Sequence, residues 1–537
     1  MPGPLTSAAM DTTRDDHARA HTYRGTPFGP PWPLHDDIIS RLTRHAASRA
    51  GAPCLTTVAA DGTETTLSYR EVDTAGRRMA DWLRRTAGPP RGTVVGLMPR
   101  NDAASVVAIL GLLRAGHPML MLSPDDPPGR TRQLLDAMDV TLLLRSPTVP
   151  AAPGLASLAL PGVPELTGIP SEVTESAPDP ASDAFFFGTS GSTAAAKLVA
   201  QSRYNATVNA AAVTAHHRLK PGDRILGCLP LHHVNGLHFT VLGTVAAGAH
   251  LVLAHEFDPF RYPGLLARFR PRLASVVPSV LEGLVHTSRG LALPGEFEYF
   301  VSAAAPLTTR TARDVRQRLG VPVVQGYGLT ETTNFSATMP PDLSAESFRR
   351  LLYDAEIPSI GTAVHGNEMA VLRSDGSRAD PGETGEICMR GHNVMSRYAG
   401  NEEATAAAFL GGWFHSQDLG YAVRDEDDGR EFFFITGRSK NIAKIGGESV
   451  SLEEMERLLR AVPGVRDAAC ARLPHRLTGE QIAAAVVFEG EERPDLRAHL
   501  AASFAAAVLP RRFVELDAVP RTATGKILRP QLAELLS

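Results

Sequence analysis

The chain has 537 residues, more than one domain of roughly 100–200 residues needs, so two or more domains are predicted. Hydrophobic residues make up 43% and charged residues 21%, which is ordinary for a water-soluble globular protein. The formal net charge of −4 gives no reason to expect nucleic acid or an anionic membrane as a main partner. The 4 cysteines are far apart, which favours neither a disulfide framework nor a zinc site and predicts a cytoplasmic protein.

In chain order, residues 1–34 are rich in proline, glycine and charge, and we interpret them as a flexible leader without a signal peptide. The longest apolar region, residues 106–122, is interrupted by Arg114 and His117, so no membrane span is predicted. A helix is predicted to begin near Asp36, and another to run from Ser68 to Leu83 with Ser68 as its cap.

Short β-rich runs alternate with these helical patterns. They comprise Thr93–Met98, Leu251–Leu253, Ser275–Val277 and Val321–Val324. Strands that alternate with helices predict parallel or mixed sheets covered by helices. The acidic run at residues 425–429 stands before another β-rich run and is interpreted as a hairpin turn rather than a metal site.

A segment rich in glycine and hydroxyl side chains follows the apolar run Ala184–Phe187. It contains Thr189, Ser190, Gly191, Ser192, Thr193 and Lys197. Small residues leave backbone N–H groups and hydroxyls free to surround phosphate oxygens, and a lysine adds positive charge. The spacing is not that of a Walker A loop. Taken alone, the segment favours the alternative of a surface loop rich in serine and threonine.

A second segment, Gln325–Thr332, follows the β-rich run at residues 321–324. A tight glycine turn after a strand brings the backbone close to a ligand. Tyr327 is suited to stacking on a base, Thr330 to donating to a phosphate, and Glu331 to holding Mg²⁺. The alternative is a glycine turn that only leads into a helix.

Three further segments carry residues of similar chemistry. They are Gly412–Gly420 with Asp418, Gly437–Gly447 with Arg438, and Pro520–Lys526. An aspartate at a strand end can accept hydrogen bonds from ribose hydroxyls. A lysine on a glycine-bearing loop suits the charge that develops during phosphoryl or nucleotidyl transfer.

Together and in this order, the segments resemble the core motifs of the acyl-adenylate-forming superfamily, which includes acyl-CoA synthetases, aryl-CoA ligases, adenylation domains and firefly-type luciferases. The resemblance extends from about residue 35 to residue 537. It also includes Leu229–Gly236, Ser302–Leu307 and Gly382–Ile387.

The resemblance implies a multidomain α/β and α+β protein. A large N-terminal domain of layered β-sheets with flanking helices is expected over residues 35–437. A small, mobile C-terminal α+β domain is expected over residues 438–537, with a hinge near Lys440.

The same resemblance implies ATP and Mg²⁺ as cofactors and gives each site residue a role. Residues 189–197 would surround the β- and γ-phosphates; Ala304, Ala305 and Tyr327 would contact adenine; Asp418 and Arg438 would hold the ribose. Thr330 would contact the α-phosphate, Glu331 would be the metal ligand, and Lys526 would bridge carboxylate and α-phosphate. Lys444, Gly446 and Gly447 would serve the thiol-transfer step, and His233 would shape the acyl pocket.

The sequence departs from the family pattern at several positions. Ala194, Ala196 and Leu198 stand where the phosphate loop usually has Gly, Pro and Gly, and Ala303 replaces a frequent glycine of the pocket wall. Gln417 replaces the usual glycine before Asp418, which places a bulky amide near the expected ribose site. These changes leave a catalytically weak nucleotide-binding scaffold as an alternative.

The acid and the acceptor remain open. Residues 229–236 offer histidines and an asparagine but no carboxylate for a substrate ammonium, which favours an aryl or short functionalised acid over an α-amino acid. The pocket candidates are His233, Asn235, His238, Ala303, Gly326, Thr333 and Asn334. Coenzyme A or a phosphopantetheine carrier protein acting in trans is the expected thiol; an amine or nitrite is the alternative acceptor.

Overall fold

The computed structural model describes residues 7–34, 36–169, 178–189, 197–287, 290–522 and 525–537, with side chains from residue 14 onward. The chain divides into two compact units, Met1–Met369 with Met389–His415, and Ala370–Cys388 with Ser416–Ser537. Residues 416–437, which the sequence analysis assigned to the N-terminal domain, group with the C-terminal residues in this division. The boundary at 437/438 and the hinge at Lys440 stay predictions.

The first unit contains a nine-stranded sheet whose central strands are parallel. Its strands, in spatial order, are Thr362–Ala363, Ala337–Thr338, Val323–Tyr327, Tyr299–Ser302, Leu273–Val276, Arg224–Gly227, His250–Ala254, Pro53–Val58 and Glu64–Ser68. The predicted strands within it are present with ends shifted by up to three residues. Their near-continuous apolar sequences agree with burial on both faces of a parallel sheet.

A seven-stranded sheet of the same unit carries the segments that precede and follow the glycine-rich loop. Its strands, in order, are Arg397–Tyr398, Leu198–Ser202, Asp183–Gly188, Met119–Met121, Val95–Met98, Leu143–Arg145 and Leu158–Ala159. Leu198–Ser202 is antiparallel to both of its neighbours. This arrangement places Tyr398 directly opposite Val199.

Helices cover the sheets of the first unit. The α-helices are Ser7–Ala20, Ile38–Ser48, Tyr69–Thr86, Ala103–Ala115, Pro128–Asp136, Arg203–His216, Thr244–Ala247, Tyr262–Phe269, Pro278–Thr287, Thr309–Leu319, Ala345–Phe348 and Glu402–Ala408. Asn235–Gly243 and Arg349–Tyr353 are π-helical, Pro164–Gly168 and Thr330–Thr332 are 3₁₀ turns, and Phe409–Leu410 is a short strand. Among the described residues, no helix combines the length and apolar character that crossing a bilayer requires.

The N-terminal residues differ from the flexible leader predicted over residues 1–34. The structure has helix Ser7–Ala20 in that range. His21 is buried, its Nε2 lies 2.8 Å from the Met395 carbonyl oxygen, and its ring lies 5.2 Å from the Phe409 ring. Composition does not reveal these contacts, because they join residues that are far apart in the sequence.

The second unit contains strands of two sheets, of which the second is mixed. The first includes Asn367–Leu372, Gly385–Gly391, Trp413–Arg424 and Glu431–Arg438; the second has Glu448–Ser451, Ile442–Ile445, Gly479–Phe488, Val465–His475 and Arg512–Glu515. The α-helices are Leu452–Ala461, Leu496–Leu500 and Arg529–Leu535, and the 3₁₀ turns are Ser439–Asn441 and Ala506–Val508. Apolar residues of Leu452–Ala461 pack on the mixed sheet and form a core there.

The hairpin predicted at residues 425–429 is confirmed. The carboxylate of Asp425 accepts the backbone N–H groups of Asp427 at 3.2 Å and Asp428 at 2.9 Å. Gly429 has φ +76° and closes the turn onto the Asp425 carbonyl. The Asp425 carboxylate therefore serves the turn itself.

The predicted cap at Ser68 is also confirmed. Its hydroxyl accepts from the Glu71 N–H, and the Glu71 carboxylate accepts from the Ser68 N–H at 2.7 Å. This reciprocal capping box satisfies two otherwise orphaned donors at the first turn. It lowers the pKa of Glu71 through the backbone and hydroxyl donors of Ser68.

We predict that Ser68→Ala weakens the first turn of helix Tyr69–Thr86 by about 1 kcal/mol, because the helix loses its capping oxygen. Hydrogen exchange of the amides at residues 69–72, followed by mass spectrometry, should be roughly fivefold faster. Ser48→Ala is the control, since its hydroxyl donates to the Arg44 carbonyl near a helix end and caps nothing. Unchanged exchange in the Ser68 variant would contradict the capping role.

Candidate active site

The turn after strand Val323–Tyr327 requires two glycines for close packing. A Cβ on Gly328 would lie 1.5 Å from the Asn334 carbonyl oxygen, and one on Gly326 would lie 2.8 Å from the Phe335 ring. Both glycines therefore let the chain fold back on itself directly after the strand. Tyr327, between them, is 8% exposed.

A buried glutamine anchors the backbone of this turn. The Gln201 side-chain amide donates to the Thr330 carbonyl at 2.8 Å and to the Thr333 carbonyl at 3.4 Å. Thr333 has φ +66° and its hydroxyl donates to the Asn393 carbonyl at 2.6 Å. These bonds fix the backbone at Thr330, whose own side chain is half-buried.

The Glu331 carboxylate is held from one side. Its oxygen Oε1 accepts from the Tyr398 hydroxyl at 2.9 Å, and the Glu331 carbonyl accepts from the Met395 N–H at 2.7 Å. Burial, followed by the adjacent Glu331 charge, raises the pKa of Tyr398 well above its usual value. The phenol therefore remains a proton donor, and the carboxylate is its acceptor.

The two ends of the glycine-rich loop meet beside this carboxylate. The Thr189 N–H donates to the Lys197 carbonyl at 2.9 Å, and the Lys197 ammonium lies 4.6 Å from the centre of the Tyr398 ring. Ser190, Gly191, Ser192 and Thr193, like Ala194 and Ala196, lie outside the described residues. Leu198 is buried in the following strand.

The hydrogen bonds of Gln201 determine the tautomer of His238. Since the Gln201 NH₂ group faces two carbonyl oxygens, its Oε1 faces His238 Nε2, at 2.7 Å. Nε2 therefore carries the proton, and Nδ1 is a bare acceptor. Burial lowers the pKa of His238 to about 3, so the ring is neutral. Among the described residues, Nδ1 has no hydrogen-bond partner.

Two further pocket candidates, His233 and Asn235, lie in the segment directly before His238. Gly236 is required because a Cβ there would lie 2.2 Å from the Pro230 carbonyl. Asn235 is buried and accepts from the Ser275 hydroxyl at 3.0 Å. His233 is half-buried, and its ring lies 4.5 Å from that of His232. Burial, with the neighbouring His233, lowers the pKa of His232 to about 3.

One ring contact and one hydrogen-bonded connection join the segment of residues 229–239 to the turn after strand Val323–Tyr327. The Phe239 and Phe335 rings lie 5.5 Å apart, and His238 reaches the turn through Gln201. Asn334 is buried, and its amide nitrogen has no partner among the described residues. The pocket candidates of the two segments are thus neighbours.

The alanines after strand Tyr299–Ser302 form a strained turn. Ala304 has φ +71°, a left-handed conformation that costs about 1 kcal/mol or more for a residue with a Cβ. Ala303 is buried, whereas Ala304 and Ala305 are half-buried. The two residues predicted to contact adenine are therefore partly accessible.

In the second unit, Asp418 and Arg438 are directly opposite each other on paired strands. Their side chains form a two-point ion pair, with Arg438 Nη2 3.2 Å from Asp418 Oδ2. Asp418 is 2% exposed. The two residues predicted to hold the ribose are therefore brought together, and Arg438 orients the buried carboxylate.

Gln417 occupies a conformation suited to glycine. Its φ is +64°, its side chain is exposed, and its N–H donates to Glu386 at 2.8 Å. The backbone thus keeps the shape that the usual glycine would give. The amide side chain projects away from the buried side of the strand, where Asp418 lies.

The Gly446–Gly447 loop is a two-residue hairpin turn. It joins Ile442–Ile445 to Glu448–Ser451, and both glycines have positive φ, at +59° and +96°. Such turns require left-handed backbone at both central positions. Lys444 is exposed and its N–H donates to Glu480 at 2.6 Å; Lys440 is exposed on the preceding 3₁₀ turn.

The loop that carries Lys526 is closed by an arginine. Arg521 pairs with both oxygens of Asp467 at 2.9 Å and donates to the Gly525 carbonyl at 2.8 Å. The Lys526 N–H donates to the Thr522 hydroxyl at 3.1 Å. The Lys526 side chain is exposed, and Arg521 holds the backbone directly before it.

Sequence reasoning missed Gln201 and Tyr398. Neither lies within the glycine-bearing motifs, and each acts on the Thr330–Glu331 turn from a different strand. A glutamine in an otherwise apolar strand was the available signal for Gln201. No local pattern indicates Tyr398, because its partner Glu331 is 67 residues away.

The family model of the AMP-binding enzyme matches residues 42–399, and that of the AMP-binding enzyme C-terminal domain matches residues 454–526. The chain is 30% identical to the sulfoacetate–CoA ligase of Cupriavidus necator, over 86% of this chain and 90% of that protein. It is 28% identical to the oxalate–CoA ligase of Arabidopsis thaliana, over 85% and 91%. Bacillus subtilis o-succinylbenzoate CoA synthetase, solved with an acyl-adenylate, has a TM-score of 0.78 at 26% identity, over 92% and 97%.

We predict that Gln417→Gly is tolerated or mildly stabilising, whereas Gln417→Val lowers the unfolding free energy by about 2 kcal/mol. The left-handed backbone suits glycine and excludes a β-branched residue. Thermal unfolding of the two variants and the wild type checks this order. Equal unfolding temperatures for valine and glycine would contradict the strain assigned to this position.

Proposed function

The chain belongs to the AMP-binding enzyme family, and from this premise we propose that it uses MgATP to activate a short, functionalised carboxylic acid and then transfers the acyl group to coenzyme A. The observation that carries this proposal is the anchored Thr330–Glu331 turn. This turn holds Thr330, whose hydroxyl can donate to a phosphate, and the carboxylate of Glu331 beside the two ends of the glycine-rich loop.

The coarser predictions are confirmed. The family models and the solved relative agree with the predicted family and with the predicted fold of layered sheets followed by a small C-terminal part. The relatives are CoA ligases, which agrees with the predicted acid–thiol ligase that proceeds through acyl-AMP. The residue roles, the metal, the acid and the choice of thiol are the finer statements proposed here.

Glu331 fits a magnesium ligand. A carboxylate oxygen is the donor that Mg²⁺ prefers, and this ion uses one or two protein carboxylates together with phosphates and waters. Tyr398 holds Oε1, and no hydrogen bond to Oε2 is present among the described residues. When bound there, Mg²⁺ would neutralise phosphate charge.

The other residues supply positioning and charge. Thr330 donates to the α-phosphate, while Thr189 and Lys197 close the loop around the terminal phosphates. Asp418 accepts from the ribose hydroxyls, oriented by Arg438. Lys526 places its ammonium between the substrate carboxylate and the α-phosphate, where charge develops as the carboxylate attacks phosphorus and pyrophosphate leaves.

The acid is inferred to be short and polar. The pocket candidates offer Asn235, His238 and Asn334 as buried polar groups, and burial of uncompensated polar atoms against a long alkyl chain is costly. The sulfoacetate and oxalate ligases among the relatives act on small acids of this kind.

An ATP–pyrophosphate exchange assay with an acid panel tests the proposal. The panel includes oxalate, sulfoacetate, o-succinylbenzoate, 4-coumarate and a long-chain fatty acid, with CoA, a carrier protein, an amine and nitrite as acceptors for the preferred acid. We expect exchange with a short functionalised acid and thioester formation with CoA. If no acid of the panel supports exchange, an inert scaffold is favoured. Product formation with an amine or nitrite but not with a thiol would overturn the thiol assignment.

We predict that Lys526→Ala slows acyl-AMP formation by about 10²–10³-fold, as for the loss of other preorganised charge donors. Use of a supplied acyl-AMP with CoA should be spared, since the bridged carboxylate and α-phosphate are then already joined. Rapid-quench measurement of each half-reaction checks this. Lys220→Ala, an exposed lysine on another loop, is the control; equal loss of both halves would count against the role of Lys526.

A further inference from the structure

Tyr398 stands between two groups that the proposed function uses. Its hydroxyl donates to Glu331 Oε1 at 2.9 Å, and its ring faces the Lys197 ammonium at 4.6 Å. The tyrosine is 6% exposed. A single buried side chain therefore contacts both a metal-binding carboxylate and a phosphate-binding lysine.

Its backbone is fixed independently of both groups. Tyr398 is paired with Val199 in the seven-stranded sheet, and the neighbouring Ala399 N–H donates to the Leu198 carbonyl at 2.7 Å. The Tyr398 N–H donates to the Thr405 hydroxyl at 3.0 Å. A phenol on such a rigid strand has a defined direction, which a partner that orients a ligand needs.

We propose that Tyr398 is a positioning residue for the magnesium nucleotide. Because its hydroxyl occupies Oε1, Glu331 presents Oε2 to the metal in one orientation. Its ring holds Lys197 beside the phosphates through a cation–π contact. This inference rests on the proposed roles of Glu331 and Lys197, and it adds the residue that couples them.

Electrostatics supports the direction of the hydrogen bond. An ionised carboxylate oxygen can only accept, so the Tyr398 hydroxyl is the donor of the 2.9 Å hydrogen bond to Glu331 Oε1. A neutral donor removes no charge from the carboxylate. The carboxylate therefore keeps its negative charge for a divalent cation while losing rotational freedom.

ATP binding measured by isothermal titration calorimetry over a series of Mg²⁺ concentrations tests this inference. Tyr398→Phe removes the hydroxyl and keeps the ring. We expect its half-saturating Mg²⁺ concentration to rise about tenfold, as is typical when the partner of a metal ligand is lost, with ATP binding in the absence of metal unchanged. Tyr398→Leu should show the same shift and, in addition, roughly threefold weaker metal-free binding, because the ring is lost.

Tyr262→Phe is the matched control, since Tyr262 is a fully buried tyrosine whose pKa is raised by burial and Cys228 rather than by Glu331. The inference is overturned if Tyr398→Phe keeps the wild-type Mg²⁺ dependence, binds Mg²⁺ more tightly, or shifts no more than this control. Wild-type protein that binds no ATP at any Mg²⁺ concentration would instead overturn the proposed function, and this inference with it. The phenylalanine variant decides the question even where the leucine variant does not fold.

Discussion

The structure of the proposed site depends on how the backbone at residues 330–335 is held after its strand ends. Within the turn, the Thr330 carbonyl accepts from the Thr333 N–H at 3.2 Å, and other elements supply further donors. Gln201 donates to the Thr330 carbonyl, and Met395 donates to the Glu331 carbonyl. Both donors belong to the first unit, and they hold the backbone from which the side chains of Thr330 and Glu331 extend.

The second unit uses a different means to the same end. Its candidate site residues Asp418 and Lys526 stand on a hairpin and a loop that arginine side chains hold. Arg438 pairs with Asp418 across two strands, and Arg521 closes the Lys526 loop through Asp467. Arginine suits both places, because its planar fork binds a carboxylate at two points.

The motifs were predictable from sequence because glycine, hydroxyl and charged residues recur there in a fixed order. The capping box at Ser68 and the hairpin at residues 425–429 were predictable because each is a local hydrogen-bond pattern. The N-terminal helix and Tyr398 were not, because their contacts join distant segments. Gln417 shows a third case, in which backbone shape persists after the glycine that signals it is replaced.

The tautomer of His238 has a consequence for how the network beneath the turn can behave. Every hydrogen bond in it points the same way, from the imidazole N–H into the glutamine oxygen and from the glutamine NH₂ into the backbone carbonyls. A primary amide in the middle does not pass protons at neutral pH, so the row cannot serve as a proton wire. The network instead fixes the position of the backbone. If the helical segment around His238 moves, the Thr330 backbone shifts with it, and the charge at the site stays the same.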